Sequence, residues 1–572
     1  MQKFLFITIV LLALILRLYG LNWDQNQHLH PDERFLTMVS NAMKIPESIT
    51  QYMNPTQSTL NPYNIGFSFF VYGTFPLTLN KLFVVFSNVD TYNETAIYGR
   101  ALSAIFDVLS LIFVIKMMQL WEQKYKIDNR IKYFAGFLYA IAVVPIQNAH
   151  FFTTDSFLVF FALASIYFSL RYFYDKRTID IALCGTILGL AFASKLSAIL
   201  PTFLIIVLIV LAMINEKFPI LLRRRSGRLK YKPTSKVGYY SNIDSPAIHP
   251  MTLVIHIGLF LITFYIALRL ADPRLFTNAN FFDIHPNPQF IENIKQLNTY
   301  SNPNVWFPPG VQWVHKQSIA FPLINLAVFG LGIPYFLIVL IGVRDFLQHR
   351  KKEFYVIFLW IIGFFLYQST QFVMGMRYFY PLYPFFAIIG AFGIVTIIEK
   401  VKKYQKLAIS ILLIFVSIWP LGFMAIYTRP HSRVTASQWI YKNIPAGSHI
   451  VTEHWDDALP LPINYDSPLL YKIDQLPVFD PDTPDKWNRI DSLLKQADYY
   501  IFSSNRGYGS ILTAPERYPQ MSKFYKDLFA GRGDFMQVQE FTSYPYFSIN
   551  DQWSDESFTV YDHPKVTIFK KL

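Results

Sequence analysis

The sequence predicts a mainly helical polytopic membrane protein carrying a small α/β domain at its C-terminal end. Three observations carry that expectation. Of 572 residues, 53% are hydrophobic and only 16% are charged, where a soluble protein carries about a quarter charged residues. Apolar runs such as Phe4–Leu18, Leu253–Leu270 and Leu407–Tyr427 suit a bilayer, which takes about 20 residues as helix. Past Arg429 the apolar runs shorten and Pro, Asp and Tyr rise. That stretch holds 15 Lys and Arg against 18 Asp and Glu, a net charge of −3 in a chain of +13, which leaves +16 on the preceding part. Such asymmetry marks a separate soluble domain.

Membrane segments are expected at roughly 4–21, 98–120, 133–149, 151–171, 180–197, 199–214, 252–271, 319–343, 354–372, 378–398 and 407–427, about eleven in all. The start Met1-Gln2-Lys3 before an apolar run resembles a signal peptide, but no small-residue cleavage site follows, so a retained first helix is expected. The single cysteine, Cys184, lies inside an apolar run, and no intramolecular disulfide is possible.

Sidedness follows from the basic loops. Residues 217–236 carry eight cations against one glutamate counted from Glu216, and 124–132, 171–177, 348–353 with Arg344, and 400–406 are also net basic. With eleven spans all five fall on one side, which the positive-inside trend makes cytoplasmic. The run at 217–236 reads as a topology signal beside lipid headgroups rather than a nucleic-acid patch. The outer loops are then 22–97 and 272–318, and the C-terminal domain lies outside. The segment 65–86 is apolar enough to count as a twelfth span, but that would invert every later loop. It is read as a re-entrant or interfacial element, with Gly73 and Pro76 breaking it. The division is therefore 1–428, membrane-embedded, and 429–572, extracytoplasmic. In the latter, Thr435–Asn443 reads as a helix, and His449–Glu453, Ala497–Phe502, Phe558–Tyr561 and Val566–Phe569 read as strands.

Ionisable residues at membrane helices are expensive and make functional candidates. The first outer loop holds His28, His30, Asp32 and Glu33 around Pro31. Pro31 suits the first turn of a helix, with the acids at its positive end. Adjacent carboxylates on a helix cannot face the same way, so Asp32 and Glu33 are expected to do different jobs, one of them as a general base. An ordinary helix start would account for the same residues. His150 and Asp155 emerge on the same face, where Asp155 also reads as a helix cap. So do Arg100, Lys195 and Arg377. Three cations on one outer face offer an anionic headgroup its partners, with guanidinium forks suited to phosphate. Each alone also reads as a snorkelling or paired side chain. The loop 272–318, with Trp306, Phe307 and Trp313, reads equally as a cover that stacks on sugar and as an interfacial aromatic belt.

These residues carry a resemblance. Asp32-Glu33 in the first outer loop, Gly99-Arg100-Ala101-Leu102-Ser103-Ala104, Thr154-Asp155, Gly189–Lys195, and Arg377-Tyr378 with Pro381 and Pro384 stand in an order similar to GT-C membrane glycosyltransferases. The likeness is to the family 39-like branch, with protein O-mannosyltransferases and aminoarabinose transferases, described as phospholipid carrier-dependent glycosyltransferases. It implies a GT-C-like fold in a bacterial or archaeal plasma membrane. It implies inverting transfer of a sugar from a polyprenyl-phosphate donor to an extracytoplasmic protein, lipid or polysaccharide acceptor, with no nucleic-acid partner. By resemblance Asp32 is the general base, Glu33 its partner, and Asp155 lines the cavity, with Arg100, Lys195 and Arg377 by the donor phosphate. His30 and His150, on the same face, are further candidate substrate contacts. The resembled family does not require the histidines. They leave a divalent metal open, as in the related oligosaccharyltransferases, with His28, His30, Asp32 and Glu33 as candidate ligands. A transporter or flippase of a lipid-linked sugar would use the same cations without chemistry, but its inverted repeats and mid-membrane polar residues are not evident. A non-catalytic scaffold would leave the outer cluster unexplained.

Overall fold

The computed structural model describes residues 2–214, 250–463, 465–546 and 549–572. The basic run 217–236 lies outside them. Six of the described helices are long and apolar enough to cross a membrane, or seven if one sharply bent pair is a single span. Against about eleven expected segments, the difference arises where the chain breaks or where helices stop short. The first helix, Gln2–Leu18, and Thr178–Ser194 have 17 residues each. The expected segment 133–149 is two helices, Ile131–Ala140 and Val143–Ala149. A break leaves backbone carbonyls without helical partners, and Arg17 of the first helix takes them, donating to Ala140 O at 2.8 Å and Tyr139 O at 3.2 Å. The expected segment 319–343 is Ala320–Gly330 followed by Ile333–Gln348, bent by 113°. Gly332 at φ +82° and Pro334 at the restart cause the bend. Proline has no N–H to give the preceding turn, and glycine accepts the left-handed conformation.

Lipid-facing and protein-facing sides are distinct. Val254, Ile255, Leu261 and Ile262 stand exposed along Pro250–Ala271, as do Leu407, Ile411, Ile414 and Phe415 along Gln405–Met424. Within the bundle, where lipid is as apolar as leucine, small residues permit close helix contact. A Cβ on Gly342 would lie 1.8 Å from Ile389 O, and one on Gly393 2.1 Å from Ile338 O. These two glycines let Ile333–Gln348 pack backbone to backbone on Tyr383–Lys400. Arg17 is also paired with Asp107, which accepts from Tyr139 Oη at 2.5 Å and from Tyr380 Oη. This buried network ties the first helix, the long helix Tyr92–Tyr125 and the 3-10 turn Met376–Leu382 together.

The segment 65–86 forms a 12-residue helix only over Phe75–Phe86. At 1.5 Å per residue that is about 18 Å, short of a hydrocarbon core of about 30 Å. Gly73 sits in the extended stretch before the helix rather than breaking one. Its N–H donates to Ser194 O at 3.1 Å, and a Cβ there would meet Ala193 O at 1.9 Å. The stretch 66–74 is thereby pressed onto the end of Thr178–Ser194, next to Lys195.

The C-terminal part holds a five-stranded sheet in the order β2-β1-β3-β5-β4, with β1 His449–Glu453, β2 Lys472–Leu476, β3 Tyr499–Phe502, β4 Phe535–Phe541 and β5 Val566–Lys571. β2, β1 and β3 run parallel, and β5 and β4 are antiparallel. Phe558–Tyr561, expected as a strand, is instead a short helix over Glu556–Thr559. A Gly342→Val substitution should force the two bundle helices apart and cost about 1–3 kcal/mol. Thermal denaturation in detergent should show a lowered midpoint, and an unchanged midpoint would contradict this packing.

Candidate functional site

The loop that follows the first helix is held from beneath by one buried cation. Arg100, on Tyr92–Tyr125, is 1% exposed. Its Nη1 donates to Leu21 O at 2.6 Å and Asp24 Oδ1 at 3.1 Å. Its Nη2 donates to Asp24 Oδ2 at 2.8 Å and to Glu33, and its Nε to both Glu33 oxygens at 3.0 and 3.1 Å. Trp23 lies against the guanidinium, 4.9 Å from its ring centre. Glu33 also accepts from Phe152 N at 2.7 Å. All five N–H groups are thus engaged, and Arg100 has none to offer a phosphate. This reassigns Arg100 and Glu33 from the expected substrate and catalytic positions to the frame. The loop from Asp24 to Glu33 is bent hard, with Gln25, Asn26 and His28 all at positive φ, a conformation that side chains other than glycine adopt at a cost.

Asp32 leaves the helix Pro31–Ala42 on the other side. The helix starts at His30, whose Nδ1 accepts from Glu33 N at 3.2 Å, with Pro31 next and the two acids in the first turn. Asp32 Oδ2 accepts from Arg377 Nη1 at 2.5 Å, and the two side chains are 28% and 23% exposed. Beside this pair, Asp155 accepts from Lys195 Nζ at 2.6 Å. Tyr378 joins the pairs, its ring centre 5.2 Å from the Arg377 guanidinium and 5.8 Å from Lys195 Nζ. Burial alone would raise the Asp32 pKa. Arg377 foremost, then His30 and Lys195, outweigh it and hold the carboxyl well below the usual carboxylate range. Tyr72, half-buried, stands within the electrostatic reach of Asp32, Arg377 and Asp155. Four expected residues, Asp32, Asp155, Lys195 and Arg377, therefore form one cluster of two ion pairs, in which Asp155 is buried and the other three are partly exposed.

The histidines serve elsewhere. His30 is packed between Phe151 and Tyr561, at ring distances of 4.5 and 4.2 Å, and burial pushes its pKa down to about 4. His28 Nε2 meets Asn93 Oδ1 at 2.9 Å. His150 is fully buried, with its ring nitrogens on Ile146 O and Tyr19 O at 2.8 and 2.9 Å and its ring stacked on Tyr427 at 3.8 Å. It braces the helix end rather than contacting substrate. His28, His30, Asp32 and Glu33 thus point at four different partners and do not compose a metal ligand set. No group of three or more such side chains able to hold a metal occurs among the described residues.

The C-terminal domain closes the cluster from above, which the sequence did not disclose. Asp457 accepts from Arg34 at 2.6 Å and from Arg433 at 2.8 Å. Asp555 accepts from Met376 N at 2.7 Å, one residue from Arg377. Asp562 accepts from Gln147 at 3.0 Å and Tyr427 at 2.9 Å. His563 lies between Asp551 and Asp562. Against the cost of burial, those carboxylates raise its pKa to about 10 and keep the imidazole charged. Tyr561, on the same stretch, covers His30. The only signal for this docking was the dense run of ionisable residues from Asp551 to His563.

Residues 93–223 match the family model described as dolichyl-phosphate-mannose-protein mannosyltransferase. That stretch contains Arg100, His150, Asp155 and Lys195, while Asp32 and Arg377 lie outside it. The comparison with curated proteins gives no match. Among solved structures, the Archaeoglobus fulgidus oligosaccharyltransferase in complex with Zn and sulfate is 14% identical, covering 91% of this chain and 71% of that one, at a TM-score of 0.45. The A. fulgidus AglB oligosaccharyltransferase with an inhibitory peptide and a dolichol-phosphate is 12% identical, covering 99% and 88%, at 0.46. ArnT from Cupriavidus metallidurans bound to undecaprenyl phosphate is 13% identical, covering 89% and 94%, at 0.46. The resemblance to GT-C membrane glycosyltransferases carried by the motifs accords with the family match.

Two outcomes separate frame from site. Arg100→Met leaves Asp24 and Glu33 buried without their cation, a loss of about 3–5 kcal/mol, and should abolish recovery of folded protein, whereas Arg377→Met should be recovered at wild-type yield. Monodisperse Arg100→Met protein of unchanged midpoint would contradict the frame. His563, with its raised pKa, contributes stability that is full below about pH 6.5 and lost as pH rises through about 10. The thermal midpoint should fall across that alkaline range, and His563→Gln should flatten the fall.

Proposed function

We propose that this chain is a membrane glycosyltransferase that moves a sugar from a polyprenyl-phosphate donor to an extracytoplasmic acceptor with inversion at the anomeric carbon. The observation that carries the reading is the cluster of two adjacent ion pairs, Asp32–Arg377 and Asp155–Lys195, joined at Tyr378 at one end of a helical bundle, with both cations partly exposed. The matched family model, named for a dolichyl-phosphate sugar donor, supports the donor class. The placement is in the plasma membrane of a prokaryote, with the C-terminal domain outside.

The chemistry follows from what each group can give. A lipid phosphate is an anion at the membrane surface, and Arg377 and Lys195 are the cations of the cluster that solvent reaches. In the resting pair Asp32 is too weak a base to take a hydroxyl proton. When donor phosphate engages Arg377 in a fork, Asp32 loses the partner that depresses its pKa. It then accepts the acceptor hydroxyl's proton as that oxygen bonds to the anomeric carbon. The bond from that carbon to the phosphate oxygen breaks, and the departing phosphate keeps the electron pair. Arg377 and Lys195 stabilise the charge that grows on it. Asp155 positions Lys195. Attack opposite the leaving phosphate inverts the sugar. No step uses a metal, because the candidate ligands diverge.

Purified protein should transfer labelled sugar from one of undecaprenyl-phosphate mannose, glucose or galactose. Asp32→Asn should lower the rate by about 10²–10⁴-fold, and Arg377→Met with Lys195→Met should raise the KM for donor. A carrier of the same lipid would keep its activity in Asp32→Asn. Full transfer by that variant would overturn the base assignment.

A further inference from the structure

We propose that the cleft between the first outer loop and the carboxyl ends of β1 and β3 binds the acceptor, and that the acceptor is a carbohydrate chain whose reacting hydroxyl is delivered past Tyr561 to Asp32. The inference rests on the transferase reading above.

The place is set by the sheet. β1 lies between β2 and β3 in a parallel array. From β1 the chain crosses to β2 on one side, and from β3 it departs toward β4 and β5 on the other. In open α/β sheets the crevice outside the carboxyl ends of strands at such a divergence is where ligands bind. Here Trp455–Asp457 follow β1 and Ser504–Arg506 follow β3. Both stretches face the first outer loop across a cavity of about 210 Å³, lined by Pro31, Arg34, Trp455, Arg506 and Tyr561 among others. Pro31 is the neighbour of Asp32, and Tyr561 also borders the small void that contains Arg377. The cleft therefore reaches the neighbour of the proposed base, and Tyr561 stands between it and the void lined by that base's partner, Arg377.

Its chemistry fits sugar. Trp455 is 37% exposed and sits at φ +77°, an outlier for a bulky residue, held by Arg506 Nη1 donating to its carbonyl at 2.9 Å. Strain of that kind persists where the surroundings impose it, and it clusters at ligand sites. Trp306 and Phe307 each stand 6.3 Å from the Trp455 ring. They line a second cavity of about 200 Å³ that also holds Tyr300 and Tyr518. Trp306 is fixed by its indole N–H on Phe479 O at 2.8 Å, and Phe307 by stacking on Tyr300 at 4.6 Å. Two small cavities flanking one aromatic cluster make room for successive rings rather than one drug-sized ligand, which takes about 300–1,000 Å³.

Around the first cavity, Arg34 spends Nε on His28 O and Nη2 on Asp457, and Arg506 spends Nε on Glu556 and Nη1 on Trp455 O. Arg34 Nη1 and Arg506 Nη2 have no hydrogen-bond partner among the described residues. Aromatic faces flanked by such donors suit the apolar face and hydroxyl rim of a sugar ring. A peptide docking by strand addition would need a free strand edge; the edges here are β2 and β4, whereas the cleft lies at the ends of central strands.

The test is saturation-transfer NMR on the full-length protein in detergent with maltotriose, chitotriose and mannotriose, alongside transfer from the donors named above to the same sugars. The wild type should bind at least one trisaccharide. Trp455→Ala and Arg34→Gln should weaken binding and raise the acceptor KM by tenfold or more, while Trp455→Phe retains binding and shows that the site is folded. Asp32→Asn should bind as wild type yet fail to transfer. No trisaccharide binding, or binding unchanged in Trp455→Ala, would overturn the inference, as would transfer to a peptide but to no sugar. Binding without transfer from any donor would overturn the acceptor role together with the reading beneath it.

Discussion

The structure depends on the buried contact of Arg100 with Asp24 and Glu33. One guanidinium with every donor used anchors both ends of a loop whose backbone is strained at Gln25, Asn26 and His28. Such a charge placed without partners would be prohibitive, and with two carboxylates and a carbonyl it becomes a rigid clamp. The clamp sets the direction of the helix Pro31–Ala42. Because Glu33 is turned inward to meet Arg100, its neighbour Asp32 is turned outward to Arg377. A change of register by one residue would exchange their surroundings and bury the proposed base.

A second constraint acts from the opposite side. Arg377 stands on the short 3-10 turn that precedes Tyr383–Lys400, and that turn is held twice. Tyr380 reaches down to the buried Asp107–Arg17 network, and the Met376 N–H donates up to Asp555 of the C-terminal domain. Asp32 and Arg377 therefore meet between a frame inside the bundle and a lid outside it. This explains why a domain remote in sequence contributes to the geometry of the cluster.

Much of this was legible in the sequence, and the exceptions have physical reasons. Composition disclosed a mostly helical chain with a small C-terminal sheet domain. The rule that adjacent helix residues face apart separated Asp32 from Glu33. Arg100 misled because a cation at an outer helix end looks the same whether it waits for a phosphate or serves two buried acids. Asp24 carried no motif to reveal the pairing. The breaks at 141–142 and 331–332 were hidden because apolar composition persists across them. Only Arg17, Gly332 and Pro334 marked where backbone groups needed other partners or another conformation. That Trp455–Asp457 and Ser504–Arg506 share one cleft was hidden, because nothing in the sequence says that two loops far apart follow adjacent strands.

At rest Asp32 is held ionised by Arg377 at a pKa too low for a base, and the proposed chemistry requires that hold to loosen when a phosphate arrives. The most direct measurement is the Asp32 carboxyl pKa, followed by difference infrared spectroscopy against Asp32→Asn, with and without undecaprenyl phosphate. Phosphate capture by Arg377 should raise that pKa from well below the ordinary carboxylate range toward it. A carboxyl that titrates identically with and without the lipid would contradict the exchange of partners on which the mechanism stands.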